Sequence, residues 1–267
     1  MRLAPGADPV ELGSGRVGVV LSHGFTGSPV SMRPWAEHLA DQGFRVVAPR
    51  LPGHGTSWEL LNRTSWEDWF AGLERAFLRL SASCDVVVAG GQSMGGCLVL
   101  RLAQVYGSHV HGVMLVNPSL RSNDPRLIAL PVLRRFVESI APLGNDIHKP
   151  VATEGAYDRT PLHALAALTR LWRVVGAELP AVTQPLLVFR SPQDHIVDAS
   201  SVRLLRARVG SREIEEHALP DSYHVATLDY DAPTIFAESA SFVGRLAERA
   251  GVRAEPSREA TGGGAGR

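Results

Sequence analysis

Four glycines surround a single serine in the segment 85–103, which reads DVVVAGGQSMGGCLVLRLA. A valine-rich run precedes them, as is typical of a buried strand, and an apolar pattern with helical spacing follows. A G-x-S-x-G sequence between a strand and a helix indicates a nucleophile elbow, a turn so tight that side chains beside the serine would clash. The pattern predicts that Ser93 is a nucleophile, although an ordinary glycine-rich turn would carry the same residues.

Short apolar runs alternate with amphipathic stretches along most of the chain. Strands that are apolar throughout are buried on both faces, as in a parallel sheet covered by helices. The predicted fold class is therefore α/β, with the ligand at the carboxyl ends of the strands. Ser65 is the expected N-cap of one helix, and another is expected to end at Gly43. The predicted strands are residues 16–22, 44–49, 85–90, 111–117 and 185–190, with a final strand shortly before residue 224.

The region between residues 119 and 181 interrupts this alternation. It contains no convincing strand, and residues 125–144 and 161–179 are interpreted as helices bounded by proline and glycine. The predicted organisation is a core of residues 1–118 and 182–250 and a helical cap insertion at 119–181. The glycine-rich residues 251–267 lack apolar periodicity and are predicted to be a disordered tail.

The composition argues against several classes of partner. Lys plus Arg and Asp plus Glu both number 27, so no overall field attracts nucleic acid or anionic lipid. No apolar run has the length of a signal peptide core or a membrane span, so we expect a cytoplasmic protein without stable membrane insertion. Cys84 and Cys97 are expected to be buried free thiols. His109 and His111 have no third ligand nearby, so neither a metal nor a cofactor is predicted.

A serine hydroxyl is a poor nucleophile at neutral pH, so it needs a histidine base and a carboxylate that orients the base. In α/β folds with such an elbow, the acid and then the histidine follow the serine on loops after late strands. Asp194 and His224 stand at such positions and are the predicted acid and base.

Other residues compete for these two roles. Asp198 and Asp221 are the alternative acids. His195 adjoins the predicted acid and His217 falls within a predicted strand, so both are interpreted as structural. His54, in the sequence RLPGHGTS, is a less favoured base in a loop near the site.

Attack on a carbonyl creates an oxyanion, which two backbone N–H groups usually stabilise. The residue after the nucleophile supplies one of them, which is Met94 here. The loop after an early strand supplies the other, and in LSHGFTGSP that residue is Phe25. Alternatively, His23 and Gly24 in this loop form only a turn.

Four motifs resemble the bacterial carboxylesterase and monoacylglycerol lipase group of α/β-hydrolases. They are LSHGFTGSPVSMRPWAEHLADQGFRVVAPRLPGHGTS, GQSMGG, SPQDHIV and SYHVATLDYD, and the resemblance extends over residues 17–242. It implies the α/β-hydrolase fold, a mostly parallel central sheet flanked by helices with a small helical cap over the site. It also implies Ser93, Asp194 and His224 as the catalytic triad and the N–H groups of Phe25 and Met94 as the oxyanion hole.

The cap is expected to select the substrate. Glu154 lies between apolar positions and is predicted to accept hydrogen bonds from glycerol hydroxyls, although an exposed carboxylate is an equal alternative. Ile147 is expected to narrow the pocket. Phe136, Leu168 and Trp172 are interpreted either as an acyl slot or as packing of the cap onto the core.

The expected activity is cleavage of carboxylic esters with short to medium acyl chains, including monoacylglycerols, through an acyl-enzyme on Ser93. The same triad also serves acyl transfer to alcohols and hydrolysis of carbon–carbon bonds, and these remain alternatives. A dehalogenase or epoxide hydrolase would need aspartate at position 93, and an intact triad argues against a non-catalytic binding protein. The expected partner is a small-molecule ester, and the chain is expected to be a monomer or a weak homodimer.

Overall fold

A seven-stranded sheet forms the centre of the protein, for which a computed structural model describes residues 3–143, 145–150 and 152–252. The strands of the structure are β1 (Val10–Leu12), β2 (Val17–Ser22), β3 (Arg45–Ala48), β4 (Val86–Gln92), β5 (Gly112–Val116), β6 (Ser139–Ile140), β7 (Thr160–Pro161), β8 (Leu186–Arg190) and β9 (Ile214–Ala218). The sheet order is β1-β3-β2-β4-β5-β8-β9, and β6 and β7 form a separate pair. Only β1 runs antiparallel within the large sheet. The predicted α/β class with a mostly parallel sheet is confirmed.

Helices cover both faces of this sheet. They are α1 (Arg33–Asp41), α2 (Trp58–Leu61), α3 (Trp66–Ser81), α4 (Met94–Tyr106), α5 (Leu130–Leu133), α6 (Leu162–Ala177), α7 (Ser200–Arg208) and α8 (Ala232–Arg249). Short 3-10 helices lie at Pro29–Ser31, Gly107–His109, Pro125–Ile128, Leu179–Ala181 and Ala226–Leu228. Helices α1 and α8 pack together on one face, and α3, α4 and α6 on the other. No helix of the described residues has the length and apolar character that crossing a membrane requires.

The predicted strands and caps of the core are present. The Ser65 hydroxyl accepts the N–H of Asp68, whose carboxylate accepts the N–H of Ser65 in return, which makes a capping box at the start of α3. Helix α1 ends two residues before Gly43, which has a φ of +86°. Cys84 and Cys97 are buried free thiols. The sequence patterns missed β1, whose three residues are too few to show a periodicity.

The insertion differs from its prediction. The helix expected over residues 125–144 is wrong, because the chain there forms a 3-10 turn, the single turn of α5 and then β6. Pro131 lies at the start of α5, where its missing N–H is tolerated, and a longer helix would need that donor. The second predicted helix is α6, which packs against α3 and α4 beside the sheet.

The predicted cap, residues 119–181, includes α6, which lies in the helical layer of the core. The position at which the cap ends therefore stays a prediction. Of the predicted tail, residues 253–267 lie outside the described residues.

Steric constraints at the turn after β4 place Ser93 in a strained conformation. Its φ of 55° and ψ of −120° are rare for a residue with a side chain. A Cβ added to Gly95 would lie 2.6 Å from the carbonyl carbon of Ser22, and one added to Gly91 would lie 2.7 Å from the nitrogen of Gly96. Both positions exclude any side chain, so the elbow requires glycine at 91 and 95.

Replacement of Gly95 by alanine should therefore destabilise the protein. We expect Gly95→Ala to lower the free energy of unfolding by about 2 to 4 kcal/mol, since the added methyl must displace the end of β2. Denaturant unfolding monitored by circular dichroism measures this change. Gly244→Ala is the matched control, because beyond its own stretch of α8 the added Cβ meets no described atom within 4 Å and alanine favours a helix by about 0.5 to 1 kcal/mol. Equal stability of the two variants would contradict the steric argument.

Candidate active site

Three side chains from separate strand ends form one hydrogen-bonded chain. Ser93 follows β4 directly, Asp194 follows β8 and His224 lies in the loop after β9. The His224 Nε2 atom lies 2.8 Å from the Ser93 Oγ atom, and the Nδ1 atom lies 2.8 Å from the Asp194 Oδ2 atom. Neutral His224 with its proton on Nδ1 donates to Asp194 and can accept the serine proton at Nε2.

The surroundings of this chain favour a charged imidazole. The other oxygen of Asp194 accepts the N–H groups of Ile196 and Val197 at 2.8 Å each, which fixes the carboxylate. Burial opposes a charge on His224, but the charges of Asp194, Glu154 and Asp146 raise the pKa of His224 above its ordinary value. The site is thus arranged to stabilise a proton on the histidine.

Two polar residues beneath the triad join the acid loop to the histidine loop. Asn117 has a φ of 45°, and its Nδ2 atom donates to the carbonyl of His224 at 2.9 Å and to the Ser191 hydroxyl at 2.9 Å. The Ser191 hydroxyl donates in turn to the carbonyl of Tyr223. These contacts hold the backbone of both loops in one place.

The competing acids and bases have other partners. Asp198 accepts the N–H of Ser200 at the start of α7, and exposed Asp221 contacts the cap through its carbonyl oxygen. His195 pairs with Asp146, while His217 lies in β9 beside Glu215. His54 is buried, and burial holds its pKa well below the ordinary value. The structure brings none of these side chains into hydrogen-bond contact with Ser93.

Of the two predicted oxyanion residues, Met94 directly follows Ser93, and Phe25 lies in the loop after β2 that approaches it. Met94 is the first residue of α4, where backbone N–H groups have no partner within the helix. The loop after β2 approaches the nucleophile from the other side, since a Cβ added to Gly24 would lie 3.4 Å from the Ser93 Cβ atom. The Phe25 ring packs against His54 and Trp69, with the Trp69 ring centre 5.9 Å away.

His23 links the loop after β2 to the backbone at Leu51. The ring is fully buried, its Nε2 atom accepts the N–H of Leu51 at 3.2 Å, and its Nδ1 atom contacts the carbonyl of Gly24 at 3.0 Å. Burial lowers the pKa of His23 to about 4. The ring is therefore neutral at neutral pH, which lets one nitrogen accept and the other donate.

The cap places Glu154 in the interior. Its side chain is buried, so the alternative of an exposed carboxylate is wrong. The Oε1 atom accepts the N–H of Asn145 at 3.0 Å, and a Cβ added to Gly27 would lie 2.8 Å from the Oε2 atom, which therefore faces the loop after β2. Burial raises the pKa of Glu154 above its ordinary value, while the Asn145 N–H and His224 act in the opposite direction.

The other predicted cap residues differ in their surroundings. Ile147 is half-buried beside Asp146, and its role in narrowing the pocket stays a prediction. Phe136 is 82% exposed, so it packs neither an acyl slot nor the core. Leu168 is buried with the core helices, and Trp172 packs against the same cluster.

Sequence patterns missed the residues that support the triad. Asp146, Asp229, Asn117 and Ser191 accept or donate hydrogen bonds that fix the loops around His224. Ser191 and Asp229 stand inside the motifs quoted above, but no residue spacing distinguishes a supporting side chain of this kind. Only the folded contacts identify it.

The two histidines of the H-x-H pair make structural contacts. His109 Nδ1 contacts the carbonyl of Tyr106, and His111 Nδ1 accepts the N–H of Val87. A different group, Glu215 with His217 and Glu238, brings its ligand atoms within 4.8 Å of one another. Arg245 already pairs with Glu215 there, which supplies a positive charge.

The sheet order, the elbow after β4 and the cap between β5 and β8 define an α/β-hydrolase. The sequence matches the model of the hydrolase family described as serine aminopeptidase, S33, over residues 14–231. This match covers most of the chain, so the protein belongs to that family.

Similar proteins narrow the class of reaction. A thermostable monoacylglycerol lipase of Bacillus sp. (strain H-257) is 39% identical over 247 residues, which cover 91% of this chain and 96% of that protein. A carboxylesterase of Bacillus subtilis (strain 168) is 24% identical over 89% of this chain and 96% of its own length. A solved structure from the work on LipS and LipT, two metagenome-derived lipolytic enzymes, has a TM-score of 0.88 and 38% identity, covering 91% of this chain and 100% of that one. The protein is a carboxylic ester hydrolase.

The buried neutral His23 should make stability depend on pH. The unfolded chain binds a proton at this histidine near pH 6.5 and the folded chain only near pH 4. The free energy of unfolding should therefore decrease by on the order of 3 kcal/mol as the pH falls from about 6.5 to about 4. Urea unfolding at several pH values measures this loss.

His23→Gln is the matched variant, because its amide oxygen can still accept the N–H of Leu51 while the side chain cannot titrate. We expect a shallower decrease for this variant over the same pH range. Parallel curves for the two proteins would mean that His23 titrates alike in the folded and unfolded chains.

Proposed function

We propose that the protein hydrolyses carboxylic esters with short to medium acyl chains, monoacylglycerols among them, through an acyl-enzyme on Ser93. The observation that carries this proposal is the unbroken chain from Ser93 to His224 to Asp194, with 2.8 Å at both contacts. Nucleophile, base and orienting carboxylate are thereby within reach of one another.

In the first half-reaction, His224 removes the proton of Ser93 as the serine oxygen attacks the ester carbonyl. The N–H groups of Phe25 and Met94 stabilise the negative oxygen of the tetrahedral intermediate. The intermediate collapses, His224 gives its proton to the leaving alkoxide oxygen, and the alcohol departs. The acyl group remains on Ser93.

In the second half-reaction, a water molecule replaces the alcohol. His224 takes one proton from the water as its oxygen attacks the acyl carbonyl, and then returns that proton to the Ser93 oxygen. The acid is released and the serine is regenerated. Asp194 and the other nearby carboxylates stabilise the imidazolium in both steps, which fits the raised pKa of His224.

The position of Glu154 supports monoacylglycerols as substrates. A monoacylglycerol differs from a simple ester by two free hydroxyls, and these need hydrogen-bond acceptors where water is excluded. The buried carboxylate faces the loop after β2 that carries Phe25, close to where the leaving alcohol would lie. A relative that is 39% identical is a monoacylglycerol lipase, which agrees with this assignment. Ile147, at the turn beside Asp146, is proposed to limit the width of the pocket.

Removal of the nucleophile should abolish catalysis. We expect Ser93→Ala to lower kcat on p-nitrophenyl butyrate by at least roughly a thousandfold, because no other group can form the acyl-enzyme. The variant should also lose labelling by a fluorophosphonate. Ser239→Ala, which removes a buried hydroxyl of α8, is the control and should keep normal turnover. Near-normal turnover by Ser93→Ala would contradict the proposed acyl-enzyme on Ser93.

Glu154 should affect monoacylglycerol more than a simple ester. We expect Glu154→Gln to reduce kcat/KM on a monoacylglycerol by roughly 10 to 100-fold more than on p-nitrophenyl butyrate, since a hydrogen bond to a charged acceptor contributes about 1.5 to 3 kcal/mol. Both substrates are assayed in parallel, and exposed Glu138→Gln is the cap control. Equal losses on the two esters would rule out the glycerol role.

A further inference from the structure

One cap segment, residues 145–149, joins the cap to the loop that carries His224. The Asp146 Oδ2 atom accepts the backbone N–H of His224 at 3.2 Å and that of His195 at 3.1 Å. The Asp146 Oδ1 atom contacts the ring Nδ1 of His195 at 2.9 Å, and the Asp146 carbonyl accepts the N–H of Val225 at 3.0 Å. The side chain of Asp146 is only 14% exposed. A single cap carboxylate therefore contacts both the acid loop and the histidine loop.

We propose that Asp146 is a positioning residue for the ester hydrolysis proposed above: it fixes the backbone at His224 and stabilises the imidazolium by its charge. This inference rests on the proposed function, because it assigns to Asp146 a role that acts through the proposed base. Asp146 itself contacts neither the Ser93 hydroxyl nor the His224 ring nitrogens, whose partners are described above.

The backbone of His224 is restrained from two opposite directions. Asn117 donates to its carbonyl from the core side, and Asp146 accepts its N–H from the cap side. The ring has a third restraint through Asp194. If the cap contact is lost, one side of the residue is released, and a displacement of about 1 Å at a catalytic group can cost roughly a hundredfold in rate.

Three carboxylates from two parts of the chain surround the base. Asp194 faces His224 from the loop after β8, while Glu154 and Asp146 face it from the cap, and His195 lies on the far side of Asp146. Burial acts against the protonated ring, and the Asp146 charge is one of those that raise the pKa of His224. Loss of that charge should therefore move the acid limb of the pH–rate profile to lower pH.

Asp229 provides a comparison within the same junction. It is buried, and its carboxylate accepts the N–H groups of His148 at 2.7 Å, Lys149 at 2.9 Å and Tyr223 at 2.9 Å. The His148 ring also stacks on Tyr223 at 4.6 Å. Asp229 thus ties the same cap segment to the same loop, but it is not among the charges that raise the pKa of His224.

The test compares Asp146→Asn with Asp229→Asn and with exposed Asp221→Asn in the full-length protein. Steady-state hydrolysis of p-nitrophenyl butyrate is recorded across the pH range, together with thermal unfolding. For Asp146→Asn we expect kcat to fall roughly 10 to 100-fold with little change in KM, and the acid limb of kcat/KM to move to lower pH. Asp229→Asn should lower Tm without moving the limb, and Asp221→Asn should match the wild type.

Two outcomes would overturn the inference. One is a wild-type kcat and pH profile for Asp146→Asn, and the other is an equal shift of the acid limb in Asp229→Asn. Ser93→Ala assayed beside them separates the two proposals, because its inactivity upholds the triad even where Asp146 proves dispensable. If Asp146→Asn does not fold, Asp146→Glu replaces it. That variant keeps the charge and should keep the acid limb in place while kcat falls, and a shifted limb would contradict the electrostatic role.

Discussion

The strained backbone at Ser93 is the constraint on which the rest of the site depends. The turn that gives Ser93 its φ of 55° exists only because Gly91 and Gly95 let helix α4 begin against the ends of β2 and β4. The cost of such strain is of the order of 1 to 3 kcal/mol and must be offset by packing around it. Buried apolar residues on both faces of the sheet supply that packing. The proposed nucleophile is therefore positioned by the core, whereas its proposed partners Asp194 and His224 lie on loops.

The ionisable groups around the proposed triad form two sets, one neutral and one charged. Beside the loop that carries Phe25, His23 and His54 are buried and uncharged, so they act as hydrogen-bonding and packing groups. Above Ser93, three carboxylates surround His224 and stabilise a proton there. In the proposed reaction the positive charge therefore develops on His224, because the two buried histidines cannot compete for the proton at neutral pH.

Local patterns predicted the core well because each depended on neighbouring residues. The elbow, the buried strands and the Ser65 cap are all determined within a few positions, and the order of motifs pointed to Asp194 and His224. The cap was harder to predict, since Pro131 divided an apparent helix and β6 pairs with β7 across some twenty residues. The contacts of Asp146 and Asp229 join segments that are about eighty residues apart in sequence. No local pattern records such contacts, so they emerged only from the folded chain.

The pairing of β6 with β7 brings together the two ends of the cap stretch between them, residues 141–159. Ser139 lies opposite Pro161 and Ile140 opposite Thr160, so the chain leaves and re-enters at one place. The intervening stretch carries both Asp146, which accepts the N–H of His224, and Glu154, which faces the loop after β2. Because its two ends are joined, a change of length or sequence inside the stretch need not move α6 or the sheet. The same stretch contacts the His224 loop through Asp146, so a change of sequence there can alter selectivity and the behaviour of the proposed base together.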